Sequence, residues 1–209
     1  MPGPSRNYAQ KLQQEGKVPR LLLHACCAPC SSAVLEYLSQ YFAITLLYYN
    51  PNIAPLEEYQ KREAELRRLV SQMKFTHPVE LLPCQYDGQA FVQAARGLEG
   101  EPEGGKRCEA CFRLRLRYAA QEAARLRFDY YTTTLSISPM KNAPLLNQLG
   151  EEIGREFGVA HLPSDFKKKD GYKRSVQLSK EYDLYRQDYC GCAFSKAQRQ
   201  REKEEREEV

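Results

Sequence analysis

The chain has no apolar run long enough to cross a bilayer, and its polar opening, MPGPSRNYAQKLQQEGKVPR, lacks the uninterrupted apolar core of a signal peptide. Both absences point to a protein that stays in the cytoplasm, with no membrane partner. No internal repeat, low-complexity linker or sharp compositional boundary divides the 209 residues, so one domain is expected. A net charge of +4 is too small to demand an anionic partner by itself, and the tail KAQRQREKEEREEV mixes both signs, as a solvated helix end does. The segment GLEGEPEGGKR (97 to 107) is the one Gly-rich stretch, and it is expected to be a mobile loop.

What the chain does have is eight cysteines. A reducing compartment disfavours structural disulfides, so grouped thiols there point to metal ligands or redox groups. Cys26, Cys27 and Cys30 share one short segment, Cys108 and Cys111 form CxxC, Cys190 and Cys192 form CGC, and Cys84 stands apart as a small buried hydrophobe. Four thiolates satisfy a 4Fe-4S cluster or a tetrahedral zinc, so the grouped set exceeds what either uses alone. Zinc on Cys27, Cys30, Cys108 and Cys111 leaves Cys26, Cys190 and Cys192 without a role. A thioredoxin-like reading of Cys27-Ala28-Pro29-Cys30 is weakened by the surplus thiols, which would exchange with it. Radical chemistry based on S-adenosylmethionine asks for CxxxCxxC, and Leu23 stands where the first of those cysteines belongs.

Apolar runs at 21 to 25, 43 to 50, 78 to 83, 128 to 136 and 158 to 163 read as strands buried on both faces, separated by helix-period segments. Residues 109 to 127 carry Phe112, Leu116, Ala119, Ala123 and Leu126 on one stripe, with Arg113 and Arg117 facing elsewhere. Alternating strands and helices predict an α/β fold: a parallel sheet with helices on both faces and ligands at the strands' C-terminal ends. Cys26, Cys27 and Cys30 then follow the first strand, with Pro29 suited to the opening turn of the next helix. Cys108 and Cys111 open the helix of 109 to 127, where free N–H groups favour thiolates.

The motifs LLLHACCAPCS (21 to 31), YYNPNIAPLEEY (48 to 59), RCEACFRLRL (107 to 116), FDYYTTTLSISPMKN (128 to 142) and DFKKKDGYKRSVQLSKEYDLYRQDYCGCAFS (165 to 195) occur in this order. Together they closely resemble the QueH-type epoxyqueuosine reductases. The resemblance spans about 21 to 195, leaving 1 to 20 as an N-terminal extension and 196 to 209 as a charged tail. It implies a fold similar to the adenine-nucleotide alpha-hydrolase (HUP) class, though LLLHACCAPCS has no Gly-rich phosphate loop, so ATP use is not expected.

The implied reaction is the last step of queuosine synthesis, in which the epoxide oxygen of epoxyqueuosine in tRNA is reductively removed. It takes two electrons from an unidentified donor, whereas a 4Fe-4S cluster passes one at a time, so a second centre is expected. The resemblance assigns the cluster to Cys26, Cys27, Cys108 and Cys111. It gives Cys190 and Cys192 to redox exchange or to an adjacent mononuclear iron that polarises the C–O bond, with Cys30 as a further ligand of that iron.

Substrate-binding candidates are Tyr48, Tyr49, Asn50 and Asn52 after the second strand, and Thr132, Thr133, Thr134 and Ser136 after a later one. Lys167, Lys168, Lys169, Lys173 and Arg174, interleaved with Phe166 and Tyr172, suit phosphate contact and base stacking in an anticodon loop, with Arg113, Arg115 and Arg117 as an extension. Asp87 and Asp165 are candidate proton donors or helix caps, and His24 is a hydrogen-bonded strand residue or a ligand. A zinc-stabilised RNA-binding module and a tRNA-thiolating enzyme are the competing functions, separated from a reductase by metal content and ATP dependence.

Overall fold

The computed structural model describes residues 18–207. Leu21, Leu22 and Leu23, all fully buried, form the middle of strand β1 (Arg20–His24). The two-residue period of a strand sends Leu21 and Leu23 into one apolar cluster and Leu22 into another on the opposite face. A strand buried on both faces must be covered twice. Helices α1 (Ala28–Leu38) and α2 (Leu56–Gln72) pack on the first face through Val34, Leu35, Leu66 and Leu69. Helices α4 (Lys106–Arg125) and α5 (Ala143–Phe157) cover the second through Leu116, Ala119, Leu149 and Ile153. Each fully buried leucine of this core stabilises it by about 1.5–3 kcal/mol.

β1 pairs in parallel with β2 (Ala43–Leu47) on one side and β4 (Tyr130–Thr133) on the other. β3 (Val79–Leu82) and β5 (Ala160–His161) complete a parallel sheet of order β3-β2-β1-β4-β5. The expected α/β class, with a parallel sheet and helices on both faces, is the observed architecture. The expectation that all five strands are buried on both faces is corrected: β3 and β5 are edges, half-buried or exposed, and β5 pairs through only two residues. β4 is also shorter than 128 to 136. Thr133 Oγ1 accepts the Leu135 N–H at 3.1 Å, and the chain turns into a 3-10 segment at Thr134–Ile137. At the β5 edge, Gly150 leaves the space that the His161 ring fills.

The remaining helices are α3 (Gly88–Ala95), α6 (Gly171–Glu181), which packs on α1 through Leu178, and α7 (Ala193–Glu207). None of the described helices is long and apolar enough to cross a membrane. Of the expected N-terminal extension, residues 1–17 lie outside the described residues. Of the expected charged tail, residues 196–207 continue α7, tied back by Lys203 Nζ to Asp188 at 2.7 Å, and residues 208–209 lie outside the described residues. The Gly-rich segment is pinned rather than loose: Arg107 Nη1 donates to the Leu98, Glu99 and Glu101 carbonyls, and Lys141 pairs with Glu103. Strand order reverses between β1 and β4, and the crevice at such a switch is where open parallel sheets place ligands.

Candidate metal and active site

Immediately past β1, Ala25 N–H bonds Leu47 O at 2.9 Å, and the chain then leaves the sheet at the switch point. Cys27 is the N-cap of α1, with Pro29 in the opening turn and Cys30 one residue on, so capping geometry turns these side chains toward one another. Cys26 is held by its N–H to Thr134 Oγ1 at 3.1 Å and by the Thr134 hydroxyl donating to its Sγ at 3.3 Å. The sulfurs of Cys26, Cys27 and Cys30 lie within 4.8 Å of one another, a group able to hold a metal ion. Hydrogen bonding with Cys27 pushes the Cys26 thiol up to about 11, while hydrogen bonds from Cys26 and Cys30 bring Cys27 below its ordinary value. That split is how a cluster of thiols accommodates one negative charge.

The second thiol group is assembled from two distant segments. Cys108 and Cys111 sit in the first two turns of α4, and Cys190 and Cys192 precede or abut α7. Between the latter, Gly191 takes φ 118°, a conformation open to glycine, and its carbonyl accepts the Ala54 N–H at 3.0 Å. Arg62 Nη1 donates to Cys190 O at 3.2 Å, and Cys190 N–H donates to Ser195 Oγ at 3.0 Å. All four cysteines line one small apolar cavity, into which Asn52 also faces. Both amide atoms of Asn52 are buried without a partner. Unsatisfied buried polar atoms are costly, so a cavity of four thiols and an orphaned amide fits a thiolate-ligated group.

Beside it opens a larger cavity of about 380 Å³, lined by Cys26, Cys27, Cys30 and Cys190. Two buried guanidiniums, Arg62 and Arg115, each 2% exposed, line its wall. Burial opposes charge on Arg115, yet Cys111, Cys190 and Cys26 raise its affinity for its proton. The expectation that Arg113, Arg115 and Arg117 extend a surface patch is therefore corrected. Arg113 and Arg117, one turn apart, pair with Glu152 and Glu156 of α5, while Arg115 points inward from the opposite side of α4. His24 is structural. Its Nε2 lies 3.0 Å from Tyr49 O and must donate there, leaving Nδ1 to accept from Thr133 Oγ1 at 2.8 Å. Burial, with Arg115 nearby, lowers its pKa to about 3, so the ring stays neutral.

Residues 21–198 match the family model of epoxyqueuosine reductase QueH. A relative of that name from Streptococcus pyogenes is 44% identical over 203 residues, covering 93% of this chain and 80% of its own length. Its namesake from Staphylococcus epidermidis is 41% identical over 194 residues, covering 91% and 82%. That from Thermotoga maritima is 35% identical over 185 residues, covering 86% and 91%. The chain belongs to the epoxyqueuosine reductase QueH family.

Within this QueH chain the expected site residues separate. The seven grouped cysteines line the two adjoining cavities, with Cys190 common to both, whereas Cys84 lies outside them near the Tyr118 hydroxyl at 3.8 Å. Tyr49 is buried and stacked on Tyr118, ring centroids 3.8 Å apart, and Thr133 is occupied by His24 and Leu135. Asn50 donates to Ala25 O at 2.9 Å and accepts from Arg115 Nη2, so it braces the strand end behind the cysteines. Asn52 alone of the second-strand candidates faces a cysteine cavity. Lys168 and Lys169 are exposed on the turn before α6, with Lys168 Nζ 3.5 Å from Asp165, while Arg174 forms a two-pronged ion pair with Glu36. Asp87 caps α3 by accepting the Ala90 N–H, and Asp165 pairs with Lys167 at 2.8 Å; neither lines the larger cavity. Sequence reasoning passed over Arg62, Glu103 and Lys141, all at the larger cavity. No sequence signal marked them: Glu103 lies in the Gly-rich segment and Arg62 in a charge-rich helix, and packing alone brings them to the cavity.

Proposed function

We propose that this chain reduces epoxyqueuosine to queuosine in tRNA at the larger cavity, removing the epoxide oxygen with two electrons to leave a cyclopentene ring. The observation that carries the reading is the convergence of seven thiols, from three distant segments, on adjoining cavities at the sheet's switch point in a QueH-family chain. The cofactor proposed is a 4Fe-4S cluster on Cys26, Cys27, Cys108 and Cys111, leaving Cys30, Cys190 and Cys192 for an adjacent mononuclear iron or dithiol exchange. When bound, such a centre supplies electrons singly and polarises the C–O bond.

The chain's own side chains do the rest. Arg62 and Arg115 set fixed positive charge against the thiolates, compensating an anionic centre away from water. Tyr172 and Met140, 39% and 59% exposed at the cavity, offer apolar surface where an extruded nucleoside enters. Lys168 and Lys169, with Arg174, are proposed to contact anticodon-loop phosphates, a reading supported by the exposure of the two lysines, and residues 21–195 are proposed as the catalytic unit. The tRNA substrate supports a cytoplasmic location; the electron donor is an external partner.

Compactness of the first group favours a second division of the thiols: the cluster on Cys108, Cys111, Cys190 and Cys192, and the single iron on Cys26, Cys27 and Cys30. Iron and acid-labile sulfide in Cys30→Ser and Cys192→Ser separate the two. Loss of sulfide in Cys192→Ser alone favours the second division; retention in both favours the first. The reading as a whole is tested by anaerobic metal analysis, followed by turnover of epoxyqueuosine-containing tRNA with a chemical reductant and mass detection. Iron in excess of sulfide with loss of one oxygen is expected; zinc without sulfide and no turnover would replace it with an RNA-binding module.

A further inference from the structure

Removing an oxygen from carbon needs a proton at that oxygen as the C–O bond breaks. Most polar groups of the larger cavity are unsuited to give one. Guanidiniums such as Arg62 and Arg115 do not release protons. Asp188 is paired with Lys203 at 2.7 Å and lies below its ordinary value through that bond. The Tyr189 phenol is engaged by the Arg62 guanidinium, which lies 5.0 Å from its ring centroid. On the proposed reading the thiols hold metal.

Lys141 differs from all of these. It lines the cavity, is 8% exposed, and its Nζ lies 3.1 Å from Glu103 Oε1. Glu103 is itself anchored, since Ser195 Oγ donates to its Oε2 at 2.9 Å, and Ser195 holds the Cys190 N–H. On the backbone, Lys141 N–H bonds Ser138 O at 3.1 Å, and the following residue, Asn142, caps α5. The ammonium is thus held from both ends, beside the cysteine loop and next to the switch point. The Glu103 carboxylate at 3.1 Å offsets the cost of burial and keeps the ammonium charged in the resting protein. Burying an ion pair seldom stabilises a fold more than apolar packing would, so this pair calls for another role. An ammonium has three N–H donors, and Glu103 uses only one.

We propose that Lys141 is the catalytic residue that protonates the epoxide oxygen through Nζ, with Glu103 and Ser195 as positioning residues. This rests on the reading of the larger cavity as the epoxyqueuosine site. In the step, two electrons from an external one-electron reductant enter the substrate, both epoxide C–O bonds break and the C=C bond forms. Lys141 supplies one proton to the departing oxygen and solvent at the cavity mouth the other, water leaves, and solvent reprotonates the amine. The sum is epoxide, two electrons and two protons giving alkene and water.

The test uses metal-loaded, full-length Lys141→Ala and Lys141→Arg with epoxyqueuosine-containing tRNA, and measures iron, sulfide and tRNA affinity on the same samples. Turnover at saturating tRNA should fall by about 100-fold or more in both. Metal content and affinity should stay near those of the unaltered protein, and added methylammonium should restore Lys141→Ala by about tenfold or more while leaving Lys141→Arg inactive. A ligand-positioning role alone does not respond to a free amine. Near-normal turnover in either variant, or a loss that tracks iron content and ignores the amine, overturns the assignment. If the unaltered protein fails to turn over this tRNA, the functional reading falls, and the assignment with it.

Discussion

Two cysteine groups reach adjoining cavities by different routes. Cys26, Cys27 and Cys30 lie within five consecutive residues, and a strand end, an N-cap and a helix turn suffice to bring their sulfurs within 4.8 Å. Cys192 caps α7, its Sγ accepting the Ser195 N–H at 3.4 Å, but Cys190 has no regular element of its own to aim it. Their loop is held by Arg62 on the Cys190 carbonyl, by Ala54 on the Gly191 carbonyl and by Ser195 on the Cys190 N–H. The first group is built mainly by local backbone geometry, with Thr134 alone reaching in from a distant segment to hold Cys26. The second depends on contacts reaching more than a hundred residues along the chain, so it is the part most open to disruption.

The sharpest way to break the comparison is to remove a thiol. Cys108→Ala should abolish cluster assembly and turnover, whereas Cys84→Ala, outside both cavities, should keep iron, sulfide and activity. Metal analysis of the two proteins decides the point, and full activity in Cys108→Ala would refute the cluster assignment. Next comes Arg62→Met, which leaves the Glu58 carboxylate with the Tyr185 hydroxyl but no cation and releases the Cys190 carbonyl, while leaving the first group's turn intact. A loss of about 3–5 kcal/mol is expected in urea unfolding.

Gly191→Ala tests the same loop from within. At φ 118° a Cβ meets Ile53 Cγ1 at 2.9 Å and Arg62 Nη1 at 3.0 Å, so about 1–3 kcal/mol should be lost, again by urea midpoint. An unchanged midpoint would show that the loop is less tightly determined than its hydrogen bonds imply. The smallest effect is expected from Lys168→Ala, 62% exposed in its side chain and lining neither thiol cavity. Binding titrations at several salt concentrations should show weaker tRNA affinity and a salt slope reduced by about one, with metal content untouched.

Much of this molecule is legible in the residue order because its physics is local. The run Leu21–Leu23 has to be a strand covered on both sides, and the stripe Phe112, Leu116, Ala119, Ala123 has to be a helix packed on it. Edge strands are harder to read. β3 has the apolar content of a central strand, and its lower burial follows only from having one neighbour instead of two. Polar side chains of the strand ends were the least legible, because a Thr or Asn is chemically equally suited to hold substrate or to hold backbone. Asn50 and Thr133 hold the scaffold, while Asn52, two positions from Asn50, faces the thiols.

Arginine shows the limit most clearly. Arg113, Arg115 and Arg117 look alike in the sequence, yet a 100° advance per residue sends the outer two to the glutamates of α5 and the middle one into the cysteine centre. The residue order alone determined the parallel α/β class, the grouping of the thiols and the family they announce, since each of these rests on spacing along the chain. Tertiary structure decided which buried cations face the thiols and brought Lys141, Glu103 and Ser195 together from three segments. Side-chain chemistry is written residue by residue, but the low-dielectric enclosure that makes a charge matter exists only once distant segments have packed around it.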